Sequence, residues 1–408
     1  MTNEFLRMLE ILRFSTFGTK SECVTNAELT DVCNVAVKQG VFPLVYGAMT
    51  KEEQSILGAK GQQMFFQGMV KNEQKMVALS GILKKLENAG VEYCILKGGT
   101  VAVEYHLSEC RLSGDIDLYI NPDEEERVSK LLKDMGMEVE SRAEGKQDFK
   151  ASSPLSGLIE VHVMLYAKTF GEYVLKNKFG VTEPFREVQV SDFLTVKALG
   201  IHDTLNFLTA HLLKHFVREG CGIRQVTDLL AFVNRHKNEI DFSRFFADLE
   251  ALKFKKLILN VFGIGVKYFG MELDEYSLEN IDELLNDFEV GENFGYGEAE
   301  RQGFYEQFVK NRVNVNEEVR ADILGRKRRS VLKAVFLPSK KYLVNKGFGY
   351  LEKTPILYPV AYVHRLCNLL KSMITGKRKY KNAMGFAETD NAVIRQRIEM
   401  MKKLDIVD

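Results

Sequence analysis

The segment 97–117 constrains the fold of this chain most, because it places a glycine turn and two aspartates at the ends of two apolar strands. The turn reads Lys-Gly-Gly-Thr at 97–100, and the second strand opens with Asp115 and Asp117. Side chains alternate across a strand, so the two carboxylates share one face and the intervening apolar side chains the other. Neighbouring carboxylates repel each other unless a cation lies between them, and Mg²⁺ or Mn²⁺ prefers oxygen ligands. The pattern predicts a Mg²⁺ or Mn²⁺ site beside a turn that suits a phosphate.

A third carboxylate follows on a later strand. Glu160 and His162 share one face of the apolar sequence Ile-Glu-Val-His-Val. If this strand pairs with the strand of Asp115, Glu160 joins the two aspartates as a metal ligand or as a base towards an acceptor hydroxyl. We therefore assign Asp115, Asp117 and Glu160 as the catalytic and metal-binding residues.

The residues around the glycine turn are candidates for phosphate binding. Gly98 and Gly99 begin a predicted helix, whose first N–H groups and positive dipole end suit a phosphate, and Thr100 adds a hydroxyl. Arg111 can bind a phosphate through two parallel hydrogen bonds. Lys97 fits a phosphate contact and an ordinary strand-end lysine equally well.

Two later helices carry candidates for a substrate cleft. His211 and His215 lie one helical turn apart, and Arg224 and Asp228 have the spacing of an ion pair on the next helix. The histidine pair has the spacing of a metal site, but it flanks an apolar stripe, which favours a place lining the cleft between the sheet and the helices. We assign five residues to this cleft: His162, His211, His215, Arg224 and Asp228.

Hydrophobic periodicity predicts an α+β fold in four regions. Residues 1–88 form an N-terminal helical region, and residues 89–190 form a core of short strands and helices. Residues 191–300 form a helical domain, and residues 301–408 a basic, mostly helical C-terminal region. Because a strand–helix–strand–helix opening precedes a run of strands, we expect a small mixed β-sheet with helices on one face, flanked by helical regions.

The same periodicity places individual elements. In the core we expect strands at 91–96, 115–120, 137–141, 148–151 and 158–164, and helices at 99–107 and 122–135. After about residue 191 we expect helices, one with Asp203 as its N-cap and an apolar stripe over 205–216, and another at 224–235. Apolar positions over 360–374 predict an amphipathic helix near the C-terminus.

Charge and cysteine content exclude several classes of protein. Acidic and basic residues balance at 56 each, so no overall field favours nucleic acid or anionic lipid, although 272–300 is acidic and 326–346 is basic. The six cysteines are scattered, which is typical of a reducing compartment. No apolar run approaches the roughly 20 residues of a spanning helix, and the amphipathic N-terminus is unlike a signal peptide. We therefore expect a soluble, cytoplasmic protein.

Together these motifs resemble the polymerase-beta-like nucleotidyltransferase superfamily, whose pattern is a glycine turn, a later Asp-x-Asp or Asp-x-Glu, and a third acid on a strand. Two departures are a fifteen-residue interval between Gly99 and Asp115, longer than usual, and Gly99 itself, where serine is commoner. Over 82–370 the chain is similar to one branch, the uncharacterised bacterial nucleotidyltransferase family (NTP-transferase type 5). That similarity rests on Leu-Lys-Gly at 96–98, Arg111, Glu160-Val-His162, His211-x-x-x-His215-Phe216, Arg224 with Asp228, and the segment 355–359.

The resemblance implies transfer of a nucleoside monophosphate group from an NTP–Mg²⁺ complex to an acceptor hydroxyl, with release of pyrophosphate. The acceptor stays open between a sugar, an antibiotic-like small molecule, an RNA end and a protein side chain. The resemblance also leaves the preferred NTP and the oligomeric state open.

Two other functions stay open. One is a catalytically silent nucleotide-binding or regulatory module, of the toxin–antitoxin or polysaccharide-locus type, against which the three retained acids argue. The other is a metal-dependent glycosyltransferase, which also uses Asp-x-Asp but leaves the glycine turn and Glu160 without a role. Nucleic-acid or membrane contact by the basic segment 326–346 is not favoured, because its aromatic interleaving is sparse.

Overall fold

The computed structural model of the chain describes residues 1–19, 24–143, 145–168, 170–293, 295–296, 308, 358–361 and 391–407. The chain divides into two compact units, Met1–Tyr296 with Glu399–Ile406 and Gly297–Ile398 with Val407–Asp408. The predicted site residues all belong to the first unit. The basic segment 326–346, and most of the predicted helix at 360–374 and of the segment 355–359, lie outside the described residues. The four predicted regions stay a prediction.

Five helices lead from the N-terminus to the sheet. The side chain of Thr2 accepts the N–H of Phe5 at the start of the first helix, and Thr50 and Glu53 form a reciprocal capping box at the fourth. The fifth helix stops before Gly90, whose φ of 68° ends it where the sequence predicted. The helices are α1 (Asn3–Phe17), α2 (Leu29–Lys38), α3 (Phe42–Ala48), α4 (Lys51–Ile56) and α5 (Gly58–Asn88).

Seven strands form one mixed sheet in the first unit. They are β1 (Tyr93–Ile95), β2 (Asp115–Ile120), β3 (Glu138–Val139), β4 (Asp148–Ser153), β5 (Gly157–His162), β6 (Arg186–Ser191) and β7 (Leu194–Ala198). Their order across the sheet is β3-β4-β5-β2-β1-β7-β6. The β2–β5 and β1–β7 pairs are parallel and the others antiparallel. The predicted α+β fold with a mixed sheet is confirmed.

The strands β6 and β7 were not predicted. They form an antiparallel hairpin in a stretch where the chain was expected to turn helical after about residue 191. That prediction is wrong, because the next helix begins only at Ile201. The pairing that holds the hairpin in the sheet joins Ile95 of β1 to Ala198 of β7, a contact between residues far apart in sequence. Local periodicity does not report such a contact.

The remaining helices differ from the predictions mainly at their ends. The helix expected at 99–107 is a single turn, and Pro122 opens a 3₁₀ turn so that the following α-helix begins at Glu125. The acidic segment 272–300 contains a helix. No described helix is long and apolar enough to cross a membrane. The helices are α6 (Gly99–Ala102), α7 (Glu125–Asp134), α8 (Ile201–Arg218), α9 (Ile223–His236), α10 (Phe242–Ala251), α11 (Lys255–Ile264), α12 (Ile281–Gly291) and α13 (Asn391–Lys403).

Asp203 does not cap α8, contrary to the sequence prediction. The N-cap is Gly200, and Asp203 lies buried in the first turn of the helix. Its carboxylate accepts the backbone N–H groups of Thr182 and Glu183 at 2.7 and 2.8 Å. The side chain therefore ties the preceding loop to the helix instead of satisfying the helix's own N–H groups.

The two faces of the sheet have different coverings. The apolar residues of β2 and β5 face a core that contains the inward face of α5 and two residues of α7, Val128 and Leu132. On the opposite face, Cys94 and Leu96 pack against Phe207 of α8. Because Asp115 and Asp117 alternate with the core residues, they lie on the α8 side of the sheet.

Candidate active site

Two neighbouring strands bring three of the predicted site residues together. The register of the parallel strands β2 and β5 sets Asp117 beside Glu160 and Tyr119 beside His162. Ligand atoms of Asp117, Glu160 and His162 lie within 4.8 Å of one another. The predicted pairing of the Glu160 strand with the Asp115 strand is confirmed.

Lys97 lies between the two aspartates. The N–H of Leu96 donates to the carbonyl oxygen of Asp117 at 2.9 Å, which holds the end of β1 against β2. The Nζ atom of Lys97 is then 3.2 Å from Oδ2 of Asp117 and 3.7 Å from Oδ2 of Asp115. The positive charge that the paired carboxylates require is supplied in this structure by an ammonium group.

These contacts set the charge state of Asp117. Only 1% of its surface is exposed, and burial by itself would raise the pKa of the carboxyl. The ammonium of Lys97 and a 3.1 Å contact with Nε2 of His162 outweigh burial and lower the pKa of Asp117 to about 2. Burial would likewise lower the pKa of Lys97, but Asp117 and Asp115 raise it. Both groups are therefore charged at neutral pH.

Glu160 has a cation of its own on the neighbouring strand. The antiparallel register of β4 and β5 sets Lys150 beside Glu160, and the Nζ–Oε1 distance is 3.3 Å. Glu160 is partly exposed, unlike Asp117. A partly exposed carboxylate at the edge of the cluster is able to meet an incoming ligand.

The glycine turn requires its glycines. Gly98 has a φ of 81°, and a Cβ there would lie 3.1 Å from Oγ of Ser113. A Cβ on Gly99 would lie 3.3 Å from Val190. The hydroxyl of Thr100 is buried and has no hydrogen-bond partner among the described residues. Because α6 is only one turn long, its dipole is weaker than the predicted helix implied. The role of this turn in phosphate binding stays a prediction.

Comparison with known proteins identifies the family of this chain. Residues 25–270 match the sequence profile of a family described as uncharacterised nucleotidyltransferase. The chain belongs to this family. The match begins earlier and ends sooner than the resemblance over 82–370, and it includes every predicted site residue. No curated protein and no solved structure matches the chain.

In this nucleotidyltransferase-family protein, Arg111 has a partner other than phosphate. Its Nε and Nη2 atoms donate to the two carboxylate oxygens of Asp228 at 2.9 and 2.5 Å, and the side chain is buried. Tyr105 donates its hydroxyl to Asp228 at 2.8 Å. Arg224 donates to the carbonyl oxygen of Leu112 at 2.7 Å. The expected Arg224–Asp228 ion pair is therefore wrong, because the guanidinium of Arg111 takes both oxygens of Asp228.

The two predicted cleft histidines contact each other on α8. Their Nε2 atoms are 3.2 Å apart, and Nδ1 of His215 is 3.2 Å from Glu219. Burial lowers the pKa of His211, and the nearby charge of Lys97 lowers it further. His211 is therefore close enough to Lys97 to feel its charge, and its assignment to a cleft stays a prediction. Among the described residues, the group of three or more candidate metal ligands is Asp117, Glu160 and His162. The structure therefore does not support a metal site at the pair His211 and His215.

Three lysines near the site were missed by the sequence analysis. Lys150 pairs with Glu160. Burial lowers the pKa of Lys214 on α8, and the charges of Arg218 and Lys97 lower it further, so Lys214 lies near Lys97. Lys75 of α5 is buried and donates to the carbonyl oxygen of Ser113. A lysine on an otherwise apolar helical face was the one available signal for Lys75, and the other two follow only from strand register and helix packing.

The donor set of the family protein fits a divalent metal ion. Oδ2 of Asp117 and Nδ1 of His162 are buried without a hydrogen-bond partner among the described residues. Two carboxylates suit Mg²⁺ or Mn²⁺, and an added imidazole is compatible with Mn²⁺. Asp117, Glu160 and His162 would hold such an ion, and Asp115 lies two residues from Asp117 on the same face of β2.

Proposed function

We propose that this protein transfers a nucleoside monophosphate group from an NTP–Mg²⁺ complex to an acceptor hydroxyl and releases pyrophosphate. One observation carries the proposal: Asp117 and Glu160 lie side by side on parallel strands, with the Gly98–Gly99 turn at the end of the adjacent strand β1. Membership of a nucleotidyltransferase family supports the same chemistry.

The acids and the turn have separate roles in this proposal. Asp115, Asp117 and Glu160 hold the divalent ion, which neutralises triphosphate charge and polarises the α-phosphorus when bound. Backbone N–H groups at 98–100 bind the phosphate oxygens. Lys97 keeps Asp117 ionised and lies 3.7 Å from Asp115, and it follows β1 directly before the turn, where its ammonium can also reach phosphate.

Proton transfer from the acceptor needs a base with room to meet it. Glu160 is partly exposed at the edge of the cluster, so one of its carboxylate oxygens can accept the proton of the attacking hydroxyl while the other faces the ion. His162 is buried and contacts Asp117, so it positions that carboxylate. His211, His215, Arg224 and Asp228 lie on α8 and α9 and shape the acceptor side of the cleft.

A second candidate function has one observation in its favour. Because the ammonium of Lys97 already neutralises the aspartates, the chain could bind a nucleotide without a divalent ion and without turnover. Such a protein would be a nucleotide-binding or regulatory module. We propose a cytoplasmic location for either function, because NTPs are found there.

Isothermal titration of each NTP, with and without Mg²⁺, tests the proposal on the full chain. We expect Mg²⁺-dependent binding that is lost in the Asp115→Asn/Asp117→Asn double variant and kept in Asp134→Asn, an exposed control on α7. Binding that survives the double substitution would contradict the proposed function, and Mg²⁺-independent binding to the wild-type protein would favour the silent module.

The reaction products identify the acceptor class and test the glycosyltransferase alternative. After incubation with each NTP and a cell extract, mass spectrometry should find an acceptor heavier by one nucleoside monophosphate, together with released pyrophosphate. Release of a nucleoside diphosphate from a nucleotide-sugar would instead establish a glycosyltransferase.

A further inference from the structure

Three cations converge on the turn that precedes the catalytic strand. Lys75 comes from α5, Arg111 from the loop before β2, and Arg224 from α9. Burial lowers the pKa of Lys75 and of Arg224, and the nearby charge of Asp115 partly offsets this for both. Asp115 also raises the pKa of Arg111. Lys75 and Arg224 meet the same stretch of chain two to three residues before Asp115, at the carbonyl oxygens of Ser113 and Leu112.

Two of these cations have no carboxylate partner. Arg111 is paired with Asp228, but Lys75 and Arg224 each donate only to a backbone carbonyl oxygen, those of Ser113 and Leu112. Within the part of the chain that the structure describes, no carboxylate lies at ion-pair distance from either. Lys75 is only 7% exposed. Burying a cation without a counter-ion is unfavourable, and two neighbouring cations also repel each other.

A cavity of about 220 Å³ is lined by Arg224, and Lys75 adjoins it through Ser113. Ser113, to whose carbonyl oxygen Lys75 donates, forms part of its wall. No acidic residue lines it, although the chain has as many acids as bases. The lining residues are Gly40, Val41, Pro43, Leu44, Cys110, Arg111, Leu112, Ser113, Gly114 and Arg224.

The position of the cavity favours a phosphate ligand. Ser113 touches the phosphate-binding turn, since its Oγ lies 3.1 Å from where a Cβ on Gly98 would be. A guanidinium binds phosphate oxygens in pairs, and an ammonium adds a point charge. A ligand with several charged oxygens would therefore supply the counter-charge that Lys75 and Arg224 lack.

We propose that Lys75 and Arg224 form a phosphate-binding subsite beside Asp115, built from the N-terminal helical region and α9. Its ligand is either the terminal phosphates of the donor nucleotide or a phosphate group of the acceptor. The assignment to donor or acceptor rests on the proposed function, whereas the subsite itself is independent of catalysis.

Titration of inorganic pyrophosphate into the full-length protein at low salt, without divalent ions, tests the subsite. We expect the wild-type protein to bind it and Lys75→Met and Arg224→Met each to bind at least about tenfold more weakly. Lys84→Met and Arg235→Met remove exposed cations from the same two helices and should bind as the wild type does. Arg224→Lys keeps the charge and should retain most of the binding.

Two further experiments are needed. One distinguishes a donor phosphate from an acceptor phosphate, and the other tests the subsite in a variant that lacks the catalytic aspartates. Competition between pyrophosphate and a bound NTP assigns the subsite to the donor, and simultaneous binding assigns it to a phosphorylated acceptor. The Asp115→Asn/Asp117→Asn variant should bind pyrophosphate at least as tightly as the wild type, even if no nucleotidyl transfer exists. Absence of pyrophosphate binding to the wild type, or unchanged binding by folded Lys75→Met and Arg224→Met, would overturn the subsite.

Discussion

Two buried clusters of charge, one around Asp228 and one around Asp117, differ in how completely their polar atoms are satisfied. The oxygens of Asp228 accept three hydrogen bonds, two from Arg111 and one from Tyr105. In the second cluster, Oδ2 of Asp117 is held by an ion pair with the ammonium of Lys97, 3.2 Å away, and Nδ1 of His162 has no hydrogen-bond partner among the described residues.

The difference separates a structural cluster from a candidate site. Buried polar groups are nearly always hydrogen-bonded, so a fully bonded carboxylate has little capacity left for a ligand. A carboxylate with one contact on each oxygen and an imidazole with an unused nitrogen, beside the partly exposed Glu160, keep that capacity. We therefore infer that the Asp228 cluster stabilises the first unit, whereas the Asp117 cluster has capacity left to bind.

The largest expected effect that tests this comparison is the loss of unfolding free energy when Asp228 is removed. Asp228→Ala leaves the buried guanidinium of Arg111 without its counter-ion, so we expect unfolding free energy to fall by about 3 to 5 kcal/mol. Urea denaturation measures it. Asp248→Ala, which breaks the exposed pair with Lys178, should cost about 1 kcal/mol or less. Equal losses in the two variants would remove the structural role of the Asp228 cluster.

The second, smaller effect is the loss of protein stability at low pH that Asp117 causes. Its pKa is about 2 when folded and near its usual value of about 3.8 when unfolded, so the unfolded state takes up the proton first as pH falls. The stabilisation by the charged form is present above pH 4 and is lost between about pH 4 and 2, amounting to about 2 kcal/mol. Urea denaturation across this window should show a steeper loss for the wild type than for Asp117→Asn. Parallel curves would contradict it, and Asp134→Asn should follow the wild type.

The smallest effect concerns metal binding. His162 contacts Asp117 and fits the metal set, so His162→Phe, which keeps the shape but removes both nitrogens, should weaken Mn²⁺ or Mg²⁺ affinity about tenfold. Titration with either ion measures it. His202→Phe, a substitution at the start of α8 away from the cluster, is the control. Unchanged affinity in folded His162→Phe would restrict His162 to packing.

Much of the site followed from local patterns. Alternation placed Asp115 and Asp117 on the face opposite Ile116, and the helix at 224–235 was predicted almost to its observed ends. The glycine pair predicted a turn because glycine readily adopts positive φ, and Gly98 does so in the structure. Each of these features depends on residues within a few positions of one another.

Other features depended on contacts that periodicity does not encode. The strand β7 exists through its pairing with β1, and Arg111 reaches Asp228 across 117 positions of sequence. Lys75 is one of several lysines on α5, and only the packing of α5 beside Ser113 distinguishes it from the others. In each case a partner distant in sequence outweighed the local preference.

By itself the sequence determined which residues are candidates for the chemistry: paired aspartates on one strand face, a later Glu-x-His strand and a glycine turn. Only the tertiary structure decided their partners. It set Asp117 beside Glu160, put the ammonium of Lys97 between the aspartates, and left Lys75 and Arg224 without a counter-ion. The physical reason is that side-chain direction follows local backbone geometry, whereas charge pairing follows proximity, which exists only once distant elements pack.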